Sequence, residues 1–484
     1  MVSETYPDAT VTGSYDANSR LQQVNDSQGG VFSYQYDAAG RLLHSAAPQG
    51  AITYTRDPLG RAVSRQAAGQ SQLTYQYDPA GNLTQAAMPQ ASLSIAYDVR
   101  NEPVTRTRSN GVSTAYTYDA LARVLSIAHR AGSNSLASFA YTYDAAGNPS
   151  PAAANPAQPL TTQATTGTFD AANEMNSFGG RTFTYDANGN RLTDAGPAGT
   201  TTYVWDGRNR LQSISQQNGT MTRFTYDFSS NMTQQSATAS GATTTTGYLR
   251  DDLTNVVAIY GGAAGTLALL TGQNIDDHFA TINSAGQPEF ALTDVLGSLV
   301  AITGASEGLD GKDEYEPFGQ TTASGAGFPF AFTGREPVAD NIYYYRNRFY
   351  DPSVGRFLSE DPVIPLAGSM SLYAYAADAP LSFIDPLGTD FVPVHVAVAF
   401  GAEPDDLWFA PKKPQKDLCL TKVEKGVRTL NDKQLEQLKK DIAAEQTKRE
   451  ELSKLQKQLA AEQAQMKATQ AQMQQVAAGG GLGH

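Results

Sequence analysis

The sequence predicts an all-β protein: β-hairpins laid side by side into one long continuing sheet, then a closing region, then a C-terminal α-helical tail. Three observations predict this. An aromatic residue followed by aspartate recurs about every 21 residues through the first half of the chain. Around each recurrence, aromatics alternate with small polar residues and then give way to Asp with Gly or Asn, which reads as a strand running into a turn. The first 410 residues are crowded with Gly, Ala, Thr, Ser, Asn, Gln and Tyr and hold a single lysine, Lys312, a bias that suits many short strands.

The recurring aspartates are Asp16, Asp37, Asp57, Asp78, Asp98, Asp119, Asp144, Asp186, Asp206 and Asp227, separated by 21, 20, 21, 20, 21, 25, 42, 20 and 21 residues, with YTRDPLGR at Asp57 a variant in which Arg56 replaces the aromatic. In Tyr116-Thr117-Tyr118 and Phe183-Thr184-Tyr185 the alternation puts both rings on one face of a strand. In Asp186-Ala187-Asn188-Gly189-Asn190 the Asp can bond its own backbone and Gly or Asn accepts a positive φ, and Arg191-Leu192 then opens the return strand. A helix would need apolar residues three and four apart, and these segments lack them. One such hairpin cannot bury its aromatic face alone, so successive hairpins must pair edge to edge and the sheet must stack, coil or close. Spacing does not choose between a filled solenoid and a hollow wrap.

Two stretches interrupt the pattern. Residues Asn148 to Met175 are rich in Pro and Ala and read as a loop on the outside of the sheet, with Phe169-Asp170 as a degenerate repeat inside it. Gln234 to Gly247 is almost wholly Ser, Thr, Ala, Gln and Gly and reads as flexible. Gly261 to Gly265 reads as a turn. The organisation expected is YD repeats over 1–240, an irregular connection with further shell strands over 241–289, a core over 290–390, a variable segment and linker over 391–429, a long helix over 430–478 and a glycine-rich terminus over 479–484.

The YxYDxxGR-type units resemble the YD repeats of Rhs proteins, which also occur in toxin-complex C components and teneurins. The second half resembles the Rhs repeat-associated core through FALTDVLGSLVAI (Phe290 to Ile302), YEPFGQ (Tyr315 to Gln320), FTGREPVADNIYYYRNRFYDPSVGRFLSEDP (Phe332 to Pro362) and SLYAYAADAPLSFIDPLG (Ser371 to Gly388). The resemblance covers nearly all of residues 10 to 390. It implies a spiralling β-sheet shell, hollow and closed at one end by the core, with a variable segment beyond the last DPxG that is often a toxin released by self-cleavage. The function implied is a structural carrier or delivery module in a polymorphic-toxin or intercellular competition system. An interaction protein binding cell-surface carbohydrate or protein, and an aspartic autoprotease releasing its own C-terminus, are the alternatives.

Two carboxyls brought together in a partly dry site share a proton and can activate water, one as base and one as acid. The resemblance maps that pair onto Asp361 of SEDP and Asp385 of FIDPLG, with the scissile region at Leu387, Gly388 and Thr389. The first motif lacks the glycine of the self-cleaving form, and Thr389 stands where relatives usually carry Leu or Met before the cut. Asp-Pro is equally an ordinary turn initiator, so the same aspartates also read as turn and core-closing residues, and Asp351 reads only so. Arg348 and Arg356 are the expected supporting cations, with Arg346 beside them. In YYYRNRFY, alternation as one strand would point aromatics one way and arginines the other. Arginine pairs well with carboxylates in such places.

Beyond Gly388 no catalytic motif is recognisable, and neither a cofactor nor a metal site is expected. His395 reads as a packed strand residue, and the lone Cys419 excludes a disulfide framework within the chain. Leu430 to Ala478 reads as a helix with a weak heptad seam at Leu438, Leu452, Leu459, Met466 and Met473, suited to loose self-association or to a partner protein. Residues 412–484 hold 14 basic against 9 acidic residues, so of the total charge of −13 the body carries about −18, which argues against a non-specific grip on nucleic acid. The N-terminus is no signal peptide and no run of 18 apolar residues occurs. Export would need a dedicated route to the exterior or cell surface; otherwise the protein stays in the cytoplasm. Its own enclosed C-terminus and a cognate immunity protein are the other expected partners.

Overall fold

The computed structural model describes residues 2–144, 147–155, 165–339, 342–362, 371–389 and 391–394. The expected helix over 430–478, the linker, His395 and Cys419 lie outside them. The described residues are almost entirely β. Strands from Val2–Thr5 to Pro149–Asn155 form one 15-stranded sheet, and strands from Gly167–Phe169 to Thr321–Ser324 form a 16-stranded sheet, each pairing in sequence order and antiparallel throughout. The other described regular elements are a four-stranded sheet spanning Glu336 to Phe357, a small pair of Phe383–Ile384 with Val392–Pro393, and two 3₁₀ turns.

Each repeat is built the same way. At Asp186 the backbone N–H donates to the Asn190 carbonyl at 2.9 Å and the Gly189 N–H donates back to the Asp186 carbonyl at 3.1 Å. The Asp186 carboxylate accepts the amides of Asn188 and Asn190, each at 2.9 Å. The turn is thus closed by its own side chain, which is why Asp holds this place. Where Arg follows, as at Arg41, Nε also binds the Asp37 carboxylate, at 2.6 Å.

The aromatic before the Asp has a second task. A register shift falls just before it, for instance between Gln76 and Tyr77. The ring then reaches back to the previous unit: Tyr77 Oη donates to the Ala62 carbonyl at 2.6 Å, Tyr118 to Pro103 at 2.7 Å, Tyr143 to Val124 at 2.8 Å, and the Trp205 indole to Arg191 at 2.8 Å. In each case the acceptor opens the preceding return strand. Arginines complete the stitching, with Arg61 lying 4.4 Å from the centre of the Tyr77 ring and Arg123 4.3 Å from that of Tyr143. Each of these bonds reaches 14 to 19 residues back along the chain, so it ties one unit to the one before it.

The two sheets meet along a seam. Asp26 pairs with Arg208 at 2.8 Å, Phe32 packs on Phe228 at 5.2 Å, and Arg65 pairs with Asp251 at 3.1 Å. Asn110 donates to the Gly304 carbonyl at 2.8 Å, and His129 Nε2 lies 3.1 Å from the Thr293 carbonyl. The hairpin end at Asp26 abuts the Asp206 turn, and the hairpin end at Asn110 meets the 304–306 connection of the second sheet. Asp251 and Asp294 close turns of the repeat type, although neither follows an aromatic. Two turns of the second sheet are covered at the position two after the Asp: Leu253 and Leu296 are 5% and 8% exposed, whereas Leu59 and Leu121 at the equivalent places of the first sheet are 80% and 72% exposed.

Several sequence expectations need correction. Gln234 to Gly247 is a regular hairpin, Met232–Ala239 with Ala242–Arg250, whose outer hydroxyls pair as Ser236 with Thr245 at 2.9 Å and Thr238 with Thr243 at 2.8 Å. Cross-strand threonines satisfy one another there, which a composition rule for loops ignores. The loop expected over Asn148 to Met175 contains the strand Pro149–Asn155, where prolines are tolerated because it is the last strand of its sheet, and Asp170 closes a true repeat turn. The stretch 241–289, expected as an irregular connection with further shell strands, contains the strands Ala242–Arg250, Val256–Gly261, Leu267–Thr271 and His278–Asn283. YYYRNRFY is not one strand but a hairpin, Ile342–Tyr345 and Arg348–Asp351, with Arg346 and Asn347 at its tip.

That hairpin is buried on both faces. Tyr344 and Phe349 pack with Phe224, Tyr226 and Tyr248 of the second sheet, while Tyr343, Tyr345 and Tyr350 join Phe332, Phe357 and Tyr375 in a second aromatic cluster. Both faces having partners, the usual alternation of apolar and polar residues is absent.

Candidate functional site

The tip of this hairpin carries the site. Arg346 has a φ of 52°, and the turn sends Arg346, Asn347 and Arg348 toward the segment Pro386 to Gly388. Arg346 Nη1 donates to the Pro386 carbonyl at 2.5 Å, Asn347 Nδ2 to the Leu387 carbonyl at 2.9 Å, and Arg348 Nε to the Gly388 carbonyl at 2.5 Å. Three consecutive side chains thus hold three consecutive carbonyls. Arg335 adds a second donor to Pro386 at 2.9 Å. The fit requires glycine at 388, where φ is 67° and a Cβ would run into the Tyr345 carbonyl oxygen.

Asp361 and Asp385 are brought together on Arg348. Their Oδ2 atoms lie 2.9 Å and 3.2 Å from the same Nη2, and Arg348 Nη1 donates to the Leu372 carbonyl at 3.0 Å. The guanidinium lies 3.6 Å from the centre of the Phe357 ring. Burial pulls the Arg348 pKa below its ordinary value, opposed by the two carboxylates. A guanidinium between them favours the ionised form of both, which works against a shared proton. Asp385 also accepts the Thr389 amide through Oδ1 at 3.0 Å, and the Asp361 amide donates to the Leu372 carbonyl at 3.0 Å, so each aspartate also anchors its own chain segment.

The remaining cations serve elsewhere. Arg356 donates to the Asn173 carbonyl at 2.7 Å and the Ser371 hydroxyl at 3.0 Å. Arg346 pairs with Asp276 at 2.8 Å, which Arg335 also engages. Burial pulls Arg335 down to about 9 and Arg346 to about 10, with Arg346 adding to the depression of Arg335 and Arg250 to that of Arg346. Asp351 pairs with Arg191 at 2.8 Å and Arg181 at 3.2 Å; burial opposes its ionisation but the two cations hold its carboxyl below the usual range. It ties the core to the start of the second sheet. Sequence reasoning missed Arg335, Asn347, Asp276 and the Leu372 carbonyl, because their contacts join residues 24 to 70 apart, which no local pattern displays.

With this geometry in hand, comparison with known proteins is informative. The profile of the teneurin YD-shell family matches residues 92–375, more than half of the chain, and RHS repeats match 15–52 and 56–92. The chain belongs to the teneurin YD-shell family. Among curated YD-repeat relatives, the tRNA3(Ser)-specific nuclease WapA of Bacillus spizizenii is 25% identical over 258 residues, covering 51% of this chain and 11% of that protein. The toxin protein Tse5 of Pseudomonas aeruginosa is 40% identical over 75 residues, covering 15% of this chain and 6% of that one. The chain thus spans about a tenth or less of the length of these relatives. A TcdB2-TccC3-Cdc42 crystal structure shares the shell fold, with a TM-score of 0.58 and 17% identity over 81% of this chain and 27% of that one. No helix among the described residues is long and apolar enough to cross a membrane.

Proposed function

We propose that this YD-shell protein is the closing part of a repeat shell that carries a variable C-terminal extension in a toxin-delivery system, and that it severs the extension near residues 387–389. The carrier role is supported by the family and by toxin names among the relatives. The severing role is supported by one observation: the segment leading out of the core is gripped carbonyl by carbonyl, with Asp361 and Asp385 on the cation that holds its last carbonyl. Asp361, Asp385 and Arg348 are the chemical groups of the cut. Arg356 supports it only indirectly, through the Ser371 segment.

Intact mass of freshly purified wild-type chain beside Asp361→Asn and Asp385→Asn, under denaturing conditions, tests this. A break between Leu387 and Asp390 in the wild type that disappears in both variants is the expected result. A single full-length mass in all three makes both aspartates structural and the protein a scaffold. Protection of residues 405–484 from added protease in the native state separately tests the carrier role.

A further inference from the structure

Where the two long sheets lie against each other, a chain of hydrogen bonds crosses between them. Val112, Ile127, Ala137 and Phe139 of the first sheet pack there with Leu292, Val300 and Ala301 of the second. Within this apolar layer Arg108 Nη2 donates to the Ala291 carbonyl at 2.8 Å and Nη1 donates to Thr114 Oγ1 at 2.9 Å. Thr114 Oγ1 lies 2.8 Å from His129 Nδ1, and His129 Nε2 lies 3.1 Å from the Thr293 carbonyl. A carbonyl can only accept, so Nε2 carries the hydrogen; the Thr114 hydroxyl, which accepts from Arg108, then donates to a bare Nδ1. The chain closes only while the imidazole is neutral. A proton on Nδ1 makes it a second donor toward Thr114, and the hydroxyl hydrogen loses its acceptor.

The surroundings oppose that proton. Arg108 is 7% exposed, and the hydrogen bonds of its guanidinium go to a hydroxyl and a carbonyl rather than to a carboxylate. The charges that act on His129 are those of Arg108 and Arg106, both positive. The neighbouring strands bring the Phe139 ring, edge-on at 6.3 Å, and the Tyr116 and Tyr141 phenols. On the second sheet Glu289 is exposed, and the Asp294 carboxylate is turned onto the Leu296 and Ser298 amides, each at 2.9 Å. We propose that His129 is an acid-sensitive latch between the two sheets, and that a proton taken up there parts them around residues 108–129 and 291–293, loosening the shell wall in an acidic surrounding. The latch goes beyond the carrier reading and is independent of any cut in the chain. Burial, with the two arginines, pulls the His129 pKa to about 3, whereas an imidazole released to water returns to its ordinary value of about 6.5. Closure is therefore fully supported above about pH 6.5 and loses that support as pH falls toward about 3, opening becoming ~10-fold easier for each unit.

The test uses the full chain with Cys419→Ser and one new thiol, Ala137→Cys. Ala137 is 0% exposed and lies opposite His129 in the strand pairing, so a thiol there reacts only when the sheets part. Its rate of reaction with 4,4′-dithiodipyridine, divided by the rate for the same chain unfolded in urea at the same pH, is compared between His129 and His129→Gln. Glutamine keeps a donor and an acceptor but does not titrate. His278 and the raised carboxyls of Asp251 and Asp294 also respond to pH, and the comparison at each pH cancels them. From pH 6.5 to 4.5 the accessibility of the thiol in the His129 chain is expected to rise about 100-fold relative to the glutamine chain. Parallel pH profiles in the two chains overturn the latch. A thiol at Val338→Cys, buried in the core beyond the second sheet, stays protected over the same range; its equal exposure makes the event global unfolding and overturns the latch as well. Should the glutamine chain fail to fold, an NMR titration of His129 in the wild type decides: a ring still neutral at pH 5 in the closed protein is expected, and one titrating near pH 6.5 overturns the proposal.

Discussion

Replacing Arg348 with methionine removes one side chain on which two carboxylates and two carbonyls depend. Arg348 is 3% exposed, Asp385 3% and Asp361 11% at their side chains. Removing one partner of a buried ion pair costs about 3–5 kcal/mol, because the other charge stays behind uncompensated. Each orphaned carbonyl, here Leu372 and Gly388, adds about 1–3 kcal/mol when no water replaces the donor. Water reaching Asp361 recovers part of this, and methionine refills part of the volume, so the expected loss near neutral pH is about 4 kcal/mol. The loss must depend on pH. Without their cation the two carboxylates hold protons to higher pH in the folded variant than in the unfolded chain, so the variant is stabilised below the unfolded carboxylate pKa and loses that contribution as pH rises. The gap between wild type and variant is therefore largest above about pH 7 and narrows toward pH 4, by ~1.4 kcal/mol for each unit by which the carboxylates are raised. Urea denaturation of uncleaved protein at the two pH values, followed by fluorescence, measures it. A loss under about 1 kcal/mol, or one that does not change with pH, would falsify the charge-bridging role of Arg348.

Three further outcomes follow from the same structure. Leu253→Ala should cost about 2–4 kcal/mol, while Leu59→Ala at the equivalent turn position should stay within about 0.5 kcal/mol, since only the former is buried; equal midpoints in denaturant would contradict the seam. Asp294 is half-buried, and the burial of its carboxyl pushes its pKa up to about 7 against the hydrogen bonds from Ser298 and Leu296. A folded-state pKa raised above the unfolded value contributes stability at low pH that is lost as pH rises to about 7, so Asp294→Asn, which keeps the turn acceptor, should flatten the fall in stability between about pH 4 and 7. Gly388→Ala combines a left-handed φ, costing ~1–2 kcal/mol, with a clash against the Tyr345 carbonyl; it should expose residues 385–394 to limited proteolysis, and unchanged protection would refute the carbonyl grip.

Much of the fold was legible in the sequence because it is local. The Asp turn closes on its own side chain within four residues, and the Tyr hydroxyl reaches a carbonyl about 15 residues back, so both leave a period that a reader can count. The turns at Asp251 and Asp294 escaped because no aromatic precedes them and they fall off the 20–21 residue spacing that marks Asp57, although their hydrogen bonds are the same. The hairpin 232–250 was misread because threonine pairs on a sheet's outer face have the composition of a loop. YYYRNRFY was misread because alternation reports a single buried face, and this hairpin has two.

Asp361 and Asp385 could be named from two Asp-Pro motifs, and Arg348 from its neighbourhood. Their meeting at one guanidinium nitrogen could not, nor could the placing of Gly388 against Arg348 and Thr389 against Asp385. Sequence by itself determined the repeat, its turns, its strands and the family, because each depends on residues within one or two hairpins. Tertiary structure alone decided which aspartates are paired, which leucines are covered and which peptide bond is gripped. Those depend on segments 24 to nearly 200 residues apart meeting across a packed core, where a shift of one position exchanges every partner.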